Sequence, residues 1–246
     1  LMTTSFSYEW KKGRKSKKLN REELMIYARS PLAQERKQAY VLILEKHAQN
    51  KDMLGELYKL IVTDWKNELL TLRSYTKAIA PRNLGNNISD KAVEAMLTSV
   101  QRNRFVFQRY FQSKAKILNL KKMTRYDLYA PFHTKEKKRS FTEAVDMVLD
   151  AYKEFSPEME KHARKILEEK HVHSLVQERK MHGAYCYDVA NHTPYVLVNY
   201  LGRERDISTL AHELGHGIHD LLTHKQTALL SHPPLIFAET ASVFAE

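Results

Sequence analysis

A mainly α-helical chain, with a small pair of β-strands placed just before its last two helices, is what the sequence predicts. Three observations carry that prediction. Gly and Pro number only 7 each in 246 residues, too few for the many tight turns of an all-β protein. Apolar residues recur at three- and four-residue spacing through most of the chain before residue 170. Aromatic and β-branched residues gather instead into two short runs between residues 183 and 200.

Taken in order, residues 1–19 read as a polar, mobile lead-in. Asn20 is positioned to cap a short helix, with Glu22 and Glu23 favourable near its N-terminus and Leu24, Ile26 and Tyr27 following. Ser30-Pro31 breaks that helix and opens another reaching about Gln49. A third spans about Lys51 to Leu72, where Leu54, Leu57, Tyr58, Ile61, Trp65, Leu69 and Leu72 form a stripe. Pro81, Gly85 and Asn86-Asn87 mark a loop. Ser89 caps a long helix to about Leu118, with Val93, Met96, Leu97, Val100, Phe107, Tyr110, Phe111 and Ile117 apolar. Both stripes are expected to be core. Tyr126 to Phe132 reads as a short irregular piece, and two helices follow at about 141–154 and 156–170.

Gly183 to Tyr187 and Tyr195 to Tyr200 then read as two strands of a hairpin. Asp206 is expected to cap a helix with apolar Ile207, Leu210, Ala211, Leu214, Ile218, Leu221 and Leu222. A Pro233-Pro234 loop leads to a last helix from about Leu235 to Glu246. The organisation expected is a lead-in at 1–19 and a partial domain at 20–246. That domain divides into a helical lobe at 20–120 and a part at 121–246 holding the strands and the two last helices. The sequence stops inside a helix, which is expected of a fragment.

Composition narrows the classes. Hydrophobic residues make up 43% and charged residues 28%, ordinary for a globular protein. One cysteine, Cys186, leaves no intramolecular disulfide and fits a reducing cytoplasm. No run approaches the ~18 consecutive apolar residues of a membrane span, and no membrane partner is expected. The net charge is +11. Part of it lies in two runs, Lys11, Lys12, Arg14, Lys15, Lys17 and Lys18, then Lys135, Lys137, Lys138 and Arg139. Neither run interleaves aromatics as a single-strand binder does, so nucleic acid is not an expected partner.

The chemistry concentrates in His212-Glu213-Leu214-Gly215-His216. Residues four apart on a helix share a face, so His212 and His216 can reach one ion. Glu213 flanks that axis, where a carboxylate can take a proton from a metal-bound water whose pKa lies near ~7. A catalytic zinc commonly has three protein ligands, and Glu239 on the next helix is the candidate third. Glu246, two turns further, is placed to accept a hydrogen bond from a ligand histidine. His219 reads as a supporting or channel residue, not a ligand. One zinc ion is the expected cofactor. The strand Tyr195–Tyr200 either binds an extended peptide backbone by strand addition or is a core strand. Three functions remain open on these residues: a zinc endopeptidase, a zinc carboxypeptidase or dipeptidase of related helical fold, and a non-enzymatic basic binding protein.

Four segments together resemble one family. They are Lys180 to Cys186, Pro194 to Tyr200, Asp206 to His219 and Phe237 to Phe244, with Tyr126 to Pro131 upstream. They are similar to the thimet-oligopeptidase-like zinc metallopeptidases, and within them to the oligoendopeptidase F branch. The resemblance implies a multi-helix channel fold, a zinc held by His212, His216 and Glu239, and Glu213 as general base and acid. Short peptides in a cytoplasmic setting are the implied substrates. It also implies that Gly183, Ala184 and Tyr185 line the substrate site, with Val198 and Asn199 as further candidates from the neighbouring strand. In the family, the tyrosines and histidine that stabilise the oxyanion lie well downstream of the zinc ligands, and Glu246 ends this sequence before them. The chain alone is therefore expected to hydrolyse peptides barely or not at all.

Overall fold

The structure, a computed structural model, describes residues 2–132, 137–227 and 230–246. Lys135 of the second basic run lies outside the described residues. The chain divides into two compact units. One holds residues 2–6, 20–23 and 137–246, the other residues 7–19 and 24–132.

The second unit begins where a lead-in was expected. Tyr8–Lys12 (β1) and Lys15–Leu19 (β2) pair antiparallel around Gly13-Arg14. Alternation places Tyr8, Trp10 and Leu19 inside while Glu9, Lys11 and Lys18 stay exposed. Trp10 stacks on Tyr27 with ring centroids 4.1 Å apart. The helices of this unit are Arg21–Ala28 (α1, entering from residues 21–23), Ala33–Gln49 (α2), Lys51–Trp65 (α3), Ala80–Gly85 (α4), Asp90–Arg102 (α5) and Arg104–Ile117 (α6). Beyond Trp65 the third helix widens into π turns over Lys66–Leu72.

Two expectations are corrected here. The Pro81 segment is helical, since proline is tolerated in a first turn. The long helix to Leu118 breaks at Asn103, whose side-chain amide donates to Ser99 O at 2.8 Å and competes with the helical ladder. A third correction concerns the core. Among the described residues none of α3 or α5 is buried. Tyr58 is 70% and Ile61 67% exposed, and Met96, Leu97, Val100, Phe107, Tyr110 and Ile117 are exposed as well. Helical periodicity marks an apolar face, but a face becomes core only when another element covers it. A buried ion pair of this unit is made by Arg36, which donates to Asp127 at 2.6 Å and also to the carbonyls of Ser30 and Pro31.

The first unit carries Phe141–Phe155 (α7), Pro157–Glu168 (α8), Glu204–Thr223 (α9) and Leu235–Ala245 (α10). Ser140 and Ser156 cap α7 and α8, each accepting from a backbone N–H three residues on. Three short strands, Val172–His173 (β3), Tyr185–Tyr187 (β4) and Tyr195–Leu197 (β5), form a sheet in the order β3-β5-β4. The pair β4–β5 is the expected antiparallel hairpin, and β3 joins β5 in parallel. Val148, Tyr152, Ile166, Val196, Val198, Leu210, Leu214 and Ile218 close one core between the helices and this sheet. Asp206 does not cap α9. It lies in the first turn, and its carboxylate accepts from the backbone N–H groups of Leu201 and Arg203.

Candidate metal centre

Helix α9 is fixed before it presents any ligand. Leu210, Leu214 and Ile218 bury one face, and the Tyr152 hydroxyl donates to Ala211 O at 2.7 Å, one residue before His212. Burial raises the Tyr152 pKa, so this donor keeps its proton. The neighbouring helix α10 packs closely on α9 at Gly215. A Cβ built there would stand 2.5 Å from Ala245 Cβ and 3.1 Å from Ser242 Cα. The missing side chain thus lets the two helices touch.

That approach delivers the third group. Glu239 Oε2 lies 3.3 Å from His212 Nε2 and 3.8 Å from His216 Nε2. The three ligand atoms fall within 4.8 Å of one another. Metal bonds of about 2.1 Å in a tetrahedron separate ligand atoms by about 3.4 Å, so these residues fit one small divalent ion. The Ser242 hydroxyl donates to Glu239 Oε2 at 3.1 Å and orients that carboxylate. Behind His212, Glu246 Oε2 stands 3.6 Å from Nδ1. Burial lowers the His216 pKa, which favours the neutral imidazole that a metal needs.

Glu213 is buried beside this group. Burial foremost, with Glu239 adding, pushes its carboxyl up to about 7, against the pull of His212 and of the Cys186 backbone N–H that it accepts. A carboxyl group tuned to that range can both take and return a proton near neutrality.

His212, Glu213, His216 and Glu239 share a cleft of about 600 Å³ with Ala184 and Tyr185. Of the two readings of Tyr195–Tyr200, the core strand is the one that fits, because β5 is the central strand. The strand beside the metal residues is β4, which lies at an edge of its sheet. Val198 is 2% exposed in the core, and both Asn199 amide donors are taken by Met181 O and Gly183 O. The structure therefore brings neither of these side chains into the cleft. Gly183, at φ +77°, forms the turn into β4. His219 lines a separate apolar cleft of about 510 Å³ with Phe155, Met159, Phe237 and Phe244, and is not among the metal group. Asp188, just past β4, reaches His224 at 2.8 Å and His232 at 3.6 Å, one at each end of the α9–α10 connection. Sequence reasoning missed Tyr152, Ser242 and Asp188 as supports, since each acts through a contact that no local spacing encodes.

The profile of peptidase family M3 matches residues 26–246, and the chain belongs to that family. An oligoendopeptidase F homolog from Borreliella burgdorferi is 30% identical over 218 residues, covering 86% of this chain and 36% of that protein. Oligopeptidase PepF of Bacillus subtilis is 24% identical, covering 86% and 32%. The fold matches PZ peptidase A, solved with an inhibitor, with a TM-score of 0.87 at 18% identity, over 98% of this chain and 43% of the other. The chain thus spans about a third of the curated relatives' length. Among its described residues no helix is long and apolar enough to cross a membrane.

Proposed function

We propose that this chain forms the zinc-binding part of an endopeptidase acting on short oligopeptides. The observation that supports it is the convergence of His212, His216 and Glu239 within ion-binding distance, with the Glu213 carboxyl buried alongside. The two imidazoles and one carboxylate suit zinc, which when bound supplies Lewis acidity and lowers the pKa of a bound water. Glu239 is the third ligand, held by Ser242. Glu246, with Oε2 3.6 Å from His212 Nδ1, places a negative charge behind the imidazole and would favour Nε2 as the metal-facing nitrogen. Glu213 holds the proton taken from the attacking water and passes it to the leaving amine. The edge strand β4, whose Cys186 N–H is held by Glu213, borders the metal residues and is the strand along which an extended peptide backbone is laid.

Metal analysis of the purified chain tests the reading. One zinc per chain is expected in wild type and in Glu213→Gln, and at least ~10-fold weaker binding in His212→Ala and Glu239→Ala. Unchanged zinc affinity in both ligand variants overturns it. With the relatives' full length restored, internal cleavage of a peptide blocked at both ends separates an endopeptidase from a carboxypeptidase or dipeptidase, which would leave that peptide intact.

A further inference from the structure

The segment between β3 and β4 has no regular structure, yet it carries the chain to the strand that borders the metal group. A loop that must place an edge strand accurately needs fixed anchors. The strongest of these is Lys180. Its Nζ donates to His173 O at 3.0 Å, Leu175 O at 2.7 Å and Val198 O at 2.7 Å. An ammonium has three donors, and all three are used here. Each goes to a backbone carbonyl, two from the end of β3 and just beyond it, one from just beyond β5. Among the described residues it forms no ion pair. Burial pushes the amine down to about 8, with Glu22 opposing. A charge drawn partly out of water and hydrogen-bonded to three carbonyls is a poor design for a solvated surface lysine. It is a sound design for tying two strand ends together.

The residues that follow extend the anchorage. Asn199 donates to Met181 O at 2.9 Å and to Gly183 O at 2.8 Å. The Gly183 N–H donates to Glu22 at 3.3 Å, and His182 lies 3.6 Å from the same carboxylate. Ala184 and Tyr185 come next and line the cleft.

We infer that Lys180 is a positioning residue: by joining the ends of β3 and β5 it fixes the 180–184 loop, and through that loop the β4 edge on which a peptide is laid. The substrate part of this inference rests on the oligopeptidase reading above. Lys180 touches neither metal ligand nor substrate. Lys180→Met keeps the aliphatic stem and removes every donor, whereas Lys180→Arg keeps charge and some donors.

Two measurements on the full chain test it. Hydrogen exchange of the amides at 181–187 is expected to rise about tenfold in Lys180→Met and less in Lys180→Arg, with α9 exchange and zinc affinity unchanged. Binding of a fluorescent heptapeptide blocked at both ends, followed by anisotropy with zinc present, is expected to weaken about tenfold in Lys180→Met and less in Lys180→Arg. Unchanged exchange at 181–187 overturns the inference whatever the peptide does. Faster exchange with unchanged peptide affinity also overturns it, leaving a loop anchor with no bearing on substrate. Loss of zinc affinity in Lys180→Met overturns it too, because the effect is then general unfolding. Failure of the wild type, at the relatives' full length, to bind any peptide instead sinks the oligopeptidase reading, while the exchange result still decides whether Lys180 holds the loop.

Discussion

Replacing Gly215 with alanine probes the junction on which the metal group depends. The added Cβ would sit 2.5 Å from Ala245 Cβ, whereas carbon atoms pack at about 3.5–4.0 Å. Helix α10 must therefore retreat by about 1 Å or more. Glu239 travels with it, and its oxygen already stands 3.3 and 3.8 Å from the two imidazole nitrogens. A further ångström moves both separations well beyond the roughly 3.4 Å between ligand atoms of a tetrahedral zinc site, a gap that small side-chain adjustments no longer close. Overpacking destabilises by about 1–3 kcal/mol, and alanine returns about 1 kcal/mol through helix propensity. Net stability should fall by about 0–2 kcal/mol. Zinc affinity should fall by about 100-fold, in the range seen when the supports of a metal site are lost. Competition with a chromophoric chelator measures the affinity, and urea denaturation of the metal-free chain measures the stability. Zinc affinity within twofold of wild type would refute the reasoning, since it would mean that α10 can yield without moving Glu239.

Glu213→Gln should change how the metal-free chain responds to pH. The folded carboxyl titrates at about 7 against 4.5 for the exposed group, so between those values the folded state holds the extra proton. Wild-type stability then falls as pH rises through that window, by about 2 kcal/mol after allowance for solvent screening. Denaturation at pH 5 and pH 8 with chelator present should show the glutamine variant gaining on wild type only at the higher pH; a gap independent of pH contradicts this. In the other unit, Asp127→Ala strands the buried Arg36 guanidinium and should reduce stability by about 3–5 kcal/mol in urea. Exchanging both Arg36 and Asp127 for apolar residues of similar volume should recover much of that loss.

The ligand helix was legible because its chemistry is local: His212 and His216 are one turn apart, and Glu213 is their neighbour. Glu239 was readable as a candidate for a different reason: two antiparallel helices joined through Pro233-Pro234 can bring its carboxylate beside the imidazoles. The Ser89 cap of α5 was equally local. What the sequence concealed was mostly a matter of partners. Lysines at 11, 12, 15, 17 and 18 mask the alternation of Tyr8, Trp10 and Leu19, so a folded hairpin read as a tail. The strand β3 is only two residues long, below any periodic signal, and without it β5 looked like a possible edge. The apolar faces of α3 and α5 were visible, but periodicity cannot say whether anything lies against them. Lys180 and Glu22 act across the fold, Glu22 on a residue 161 positions away, a distance at which a single sequence is silent.

Asp188 joins parts of the cleft that would otherwise answer to different events. It lies just past β4, bonds His224 at 2.8 Å where the connector leaves α9, and stands 3.6 Å from His232 near the connector's far end. A displacement of that strand is therefore felt by the helix bearing Glu239. On the proposed oligopeptidase reading, reciprocity would follow: a peptide that draws β4 toward one position would change the affinity for the ion, and the ion would change the affinity for the peptide by the same factor.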